Sequence, residues 1–101
     1  MSNVATAIAS EPRPRAASIT LTSADMGDVT EADFDAWVAY VSERIDEFTG
    51  LDVTVDAARF GAGGADRIVA ENDEDRQTLR RAISVDLWEK FCADASAWPQ
   101  A

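Results

Sequence analysis

At 101 residues the chain has room for one domain, and a 47% hydrophobic content that includes three Trp can form a core without covalent staples. A single cysteine, Cys92, excludes an internal disulfide framework; the lack of histidine excludes Ser-His-Asp and Cys-His catalysis in their usual forms, and no Cys/His cluster offers itself to zinc. Nineteen acidic residues against nine basic ones give a net charge of -10, which disfavours direct binding to nucleic acid or to an anionic membrane and attracts basic proteins.

Residues 1–16 contain the run Glu11-Pro12-Arg13-Pro14-Arg15 and no apolar periodicity, so they read as a flexible tail before one domain over 17–98. The opening MSNVATAIAS lacks the basic residues that a secretory leader carries ahead of its apolar run. No apolar run approaches the roughly 18 to 20 residues needed to cross a bilayer, and a cytosolic protein is expected. Ser18 to Thr22 alternates polar and apolar residues, with β-branched ones among them, as a half-buried strand does, with Ile19 and Leu21 inward. Ser23 to Val29 reads as an acidic connection around Gly27.

The strongest pattern follows. Phe34, Trp37, Val38, Val41, Ile45 and Phe48 recur at steps of three and four, one stripe of a helix over Thr30 to Gly50, with Asp35, Glu43, Asp46 and Glu47 on the opposite side. Thr30 is placed to cap this helix with Asp33 three residues on, and Gly50 to close it. Leu51 to Asp56 alternates as a second strand: Leu51, Val53 and Val55 face the helix, and Asp52, Thr54 and Asp56 face away. Gly61 to Gly64 reads as a turn and Arg67 to Ala70 as a third strand, making 51–70 a hairpin. Asn72 caps a second helix with Asp73, Glu74 and Asp75 in its first turn and Leu79, Ala82 and Ile83 on its apolar stripe. Continued unbroken, that stripe would receive Asp86 and Lys90, so a phase shift is expected, with Ser84 capping a new segment through Trp88, Phe91, Cys92 and Ala95. One bent helix and two separate ones both fit. The order β-α-β-β-α(α) predicts an α+β fold, a single small sheet with helices on one face.

Chemical motifs are scarce. Cys92 lies in an amphipathic segment near Asp94, a setting that does not activate a thiol, and is expected to be buried. The alternation buries no acid, so paired-carboxylate catalysis has no basis in the pattern. Neither Asp25-Met26-Gly27-Asp28 nor Asn72 to Asp75 fits the register of a calcium loop, and the glycines at 61–64 lack the helix start that a phosphate cradle needs. No cofactor or metal is expected. Of the aromatics, Tyr40 at the edge of the stripe and Trp98 near the C-terminus are the least committed to the core.

What remains distinctive is the display of carboxylates. Asp35, Glu43, Asp46 and Glu47 on the helix, with Asp52 and Asp56 on the sheet, can imitate the charge spacing of a nucleic acid and occupy a basic groove of another protein. The expected function is therefore non-enzymatic: binding and blocking a basic protein that handles nucleic acid. In size, acidity and lack of a catalytic motif the chain resembles the small acidic inhibitors encoded by phages and mobile elements, among them anti-CRISPR proteins and other nucleic-acid mimics. That likeness is one of class and carries no functional residues over. The alternative, to which the Asp-rich, Arg-over-Lys and Ala-rich composition points, is an acidic housekeeping or assembly-subunit domain of a GC-rich or halophilic host whose charge serves solubility.

Overall fold

In the strand Ala16–Leu21 (β1) a β-branched and a long aliphatic side chain, Ile19 and Leu21, alternate with smaller polar ones, and both are fully buried. The structure, a computed structural model, describes residues 15–99. Thr22 and Ser23 close the strand as buried polar residues, and Ser23–Met26 forms a single helical turn (α1) where the sequence suggested only a connection. Most of the expected tail, residues 1–14, lies outside the described residues. Arg15 does not behave as a tail: its carbonyl accepts the N–H of Asp52 at 2.9 Å, and its guanidinium grips Asp75.

The long helix Glu31–Thr49 (α2) owes both its ends to local chemistry. The Thr30 hydroxyl accepts the N–H of Asp33 and the Asp33 carboxylate accepts the N–H of Thr30, each at 3.1 Å, a complete capping box. Gly50 ends the helix with φ +74°, a left-handed conformation costly to residues with a Cβ, and its N–H donates to the carbonyl of Asp46. Phe34, Trp37, Val41 and Ile45 are buried as their spacing requires. Two aromatics depart from it: Tyr40 is buried, and Phe48 is 45% exposed.

The strands Asp52–Ala57 (β2) and Arg67–Ala70 (β3) form where expected but do not pair with each other. The order is β2-β1-β3, with β1 parallel to β2 and antiparallel to β3. The expected hairpin over 51–70 is therefore replaced by a loop over 58–66 that crosses the end of β1, and the glycines at 61–64 belong to that crossing. Its anchors are the end of β1 itself: the Thr22 hydroxyl donates to the carbonyl of Gly64, and the N–H of Gly61 donates to the Ser23 hydroxyl. Register places Ala17, Ile19, Val53, Val55 and Ile68 on the helix-covered face, and Ser18, Thr20, Asp52, Thr54, Asp56 and Val69 on the other.

Asn72 caps the helix Asp73–Arg81 (α3) by accepting the N–H of Asp75 at 2.8 Å. The helical path then runs without a break through a π-helical turn, Ala82–Asp86, into Leu87–Ala93 (α4). Buried Leu79, Ile83, Leu87 and Phe91 recur at steps of four, which in an unbroken α-helix drift about 40° per step. The wider π turn absorbs this drift and turns Asp86 and Lys90 off the core line. The phase shift is thus real, but Ser84 lies inside the π turn and caps nothing. Cys92, expected to be buried, is exposed. The 3-10 turn Ala95–Ala97 brings Trp98 back onto Phe91, ring centroids 4.3 Å apart, and the indole N–H donates to the carbonyl of Phe91. Trp37, Tyr40, Trp88, Phe91 and Trp98 form one aromatic cluster between α2 and α4, and this is what buries Tyr40. The result is the expected α+β architecture, three strands with helices packed against one face. No described helix is long and apolar enough to cross a membrane.

Candidate functional site

The six carboxylates singled out from the sequence do not share one surface. Asp35, Glu43 and Glu47 are exposed on α2, while register sets Asp52 and Asp56 on the face of β2 turned away from the helices. Asp46 stands between the two groups and serves the fold, because its carboxylate accepts the N–H of Val53 at 3.0 Å and so fixes the end of α2 to β2. Asp35 lies twelve positions before Glu47, about 18 Å along the helix.

Glu43 and Glu47 are brought together at a hollow of about 660 Å³ between α2 and α4, floored by Tyr40 and Leu87 and flanked by Arg44, Phe48 and Lys90. Arg44 is folded back onto its own helix, its guanidinium 3.9 Å from the centre of the Tyr40 ring and 3.2 Å from the Glu43 carboxylate. A second hollow of about 370 Å³, bounded by Asp86, Glu89 and Ala93, shares Phe48 and Lys90 with the first. Phe48 and Lys90 are the functional candidates that periodicity missed. The stripe placed Phe48 in the core, and Lys90 needed the π turn to bring it outward.

A different carboxylate pair forms where α1 meets the 58–66 loop. Asp66 accepts from the Thr22 N–H at 2.7 Å and the Thr22 hydroxyl at 3.2 Å, and its own N–H donates to the Asp25 carboxylate at 2.8 Å. Partial burial pushes the Asp66 carboxyl above the usual carboxylate range; the bonds from Thr22 oppose this and the nearby Asp25 charge adds to it. The pair edges a cleft of about 300 Å³ with Arg80, Ser84, Trp37 and Trp88. Both acids are engaged with backbone N–H groups, so the arrangement works as a clasp on the loop. Among the described residues every buried side-chain polar atom has a partner, and no three candidate ligands converge on a metal position.

The structure also buries an acid that the sequence pattern left exposed. Asp75 is 4% exposed and receives two guanidinium bonds from Arg15, at 2.6 and 2.8 Å. Those bonds hold its carboxyl below the usual range against the opposing effect of desolvation. Nothing local announces the pair, since its members lie on opposite sides of the chain's longest helix. Comparisons with protein-family models, with curated proteins and with solved structures return no match.

Proposed function

We propose that this is a non-enzymatic interaction protein that binds and blocks a basic, nucleic-acid-handling partner, in the manner of phage or mobile-element inhibitors, and that the acidic outer face of α2 is its recognition surface. The observation that carries the reading is the uneven distribution of charge. From Ser23 to Thr49 eight carboxylates meet one arginine, Arg44, whereas from Arg67 to Lys90 six carboxylates meet five cations. Asp25, Asp33 and Asp46 hold backbone N–H groups within the fold, which leaves Asp35, Glu43 and Glu47 exposed on α2 with Arg44 as that helix's one cation, a one-signed surface that suits recognition of a basic partner.

The helix ends reinforce this. α3 follows the macrodipole, with acids in its first turn and Arg80 and Arg81 in its last. α2 follows it at the start and violates it at the end, where Asp46 and Glu47 face the negative pole and no basic residue is present. Asp46 is accounted for by its bond to Val53. Glu47 makes no described hydrogen bond or ion pair, and a role outside the fold accounts for its position.

Reversing both Glu43 and Glu47 to lysine tests the proposal. The loss of the exposed Glu43–Arg44 pair, worth about 0–1 kcal/mol, is offset by a comparable dipole gain at position 47, so the melting temperature stays nearly constant. Capture of basic nucleic-acid-binding proteins from host lysate is expected to be salt-sensitive with the native chain and lost with the double variant. Equal capture by the two proteins refutes the reading.

A further inference from the structure

The paired hollows between α2 and α4 combine a large exposed apolar side chain with carboxylates on both sides of it. Phe48, 45% exposed, stands between them. Glu43 and Glu47 line one bank, Asp86 and Glu89 the other. Of the two cations present, Arg44 is drawn back over Tyr40, and Lys90 makes no ion pair among the described residues.

We infer that this trough seats a short basic segment of a partner protein, with one bulky apolar residue of that segment on Phe48 and its arginines or lysines on the flanking carboxylates. The inference rests on the proposed function and deepens it by naming the contact. Charge selects the occupant. A second copy of this chain would bring acid against acid, and nucleic acid or anionic lipid would meet the same repulsion. The span from Tyr40 to Phe48 is about 12 Å of helix, which suits two helical turns or about four extended residues. An apolar anchor ringed by charge is also the anatomy of a binding hot spot, in which the anchor supplies affinity and the rim supplies rate and selectivity.

The test is selection of random dodecapeptides displayed in a library against the full chain, followed by titration of the chosen peptides into the native protein and into Phe48→Ser and Lys90→Glu variants. Both substitutions fall on the surface, and melting curves verify that the fold persists. Selected peptides are expected to be basic with a recurrent Trp, Leu or Phe. Their affinity should fall by about tenfold or more in Phe48→Ser and rise by about threefold in Lys90→Glu, where the cation without an ion pair among the described residues has been inverted. Basic peptides with no apolar position and no response to Phe48→Ser overturn the trough and leave the acidic-face reading standing. Selection of peptides that are not basic, or of none at all, overturns both.

Discussion

Glu47 exposes a conflict between stability and recognition that a single substitution can separate. Glu47→Lys relieves the charge–dipole mismatch and creates an i,i+4 pair with Glu43, so stability is expected to rise by about 0.3–1 kcal/mol, a few degrees in melting temperature. The same change should weaken salt-sensitive association with a basic partner. Gain in one property at the expense of the other is the behaviour of a residue kept for binding. Two aspartates make a second residue-scale prediction, with opposite signs. Asp66, raised in the fold, favours the folded state most below its unfolded value of about 3.9 and loses that contribution as pH rises through its folded value. Asp75, lowered by Arg15, stabilises fully above about 3.9 and loses its contribution as pH falls through its folded value. Thermal melts across pH should therefore show stability climbing as pH falls through the folded value of Asp66 towards about 3.9 and declining below it. Asp66→Asn should flatten the upper limb, and Arg15→Ala should lower the plateau and weaken the acid limb.

At the scale of elements, the π turn behaves as one residue inserted into a helix. Deleting exposed Ser84 moves Leu87 and Phe91 to steps of three and four from Ile83, a regular α stripe. That variant is expected to fold with its aromatic cluster intact and to melt within several degrees of the native chain. Deleting Lys90 instead swings Phe91 about 100° off the core and should cost about 3–5 kcal/mol, as loss of a buried Phe does. Circular dichroism melts distinguish the two. The same elements show what could be read from the sequence. Thr30, Gly50 and Asn72 act through neighbours within four residues, so their caps were legible, as was the short strand Arg67–Ala70. That β2 and β3 each pair with β1 and not with each other was not, because neither strand's own pattern names its partner and the glycines between them imitate a turn. A usable signal was present: nine residues separate Ala57 from Arg67, more than the two to five of an ordinary hairpin loop. Tyr40 and Phe48 exchanged their expected burial because the stripe fixes only which side of α2 faces inward. The position of α4 decides how far along the helix cover extends. Of the candidate site, the acids of α2 were visible as a face, but the trough beside them depends on the π turn and on α4.

For the whole molecule, self-repulsion at a net charge of -10 makes ionic strength a control variable. Raising salt from about 0.02 M to about 0.5 M should increase the melting temperature modestly while weakening partner association, since both effects come from screening. A chain that folds only at molar salt would instead favour the solvation alternative. The sheet order has a further consequence during synthesis. β1 emerges from the ribosome early, and its parallel neighbour β2 follows once α2 is complete, yet Ile68, which lies opposite Ile19, is made only after nearly half the chain's length has passed. Until then the central strand has one open edge, and Asp75 has not yet been made to meet Arg15. A product truncated before β3 thus leaves the β3-side edge of β1 unpaired, with Ile19 lacking its cover from Ile68, a template for wrong pairing. The full chain closes that edge with Arg67–Ala70 and, five residues later, supplies Asp75 to Arg15, so the sheet's last strand and the tie to its N-terminal margin come from one late stretch of sequence.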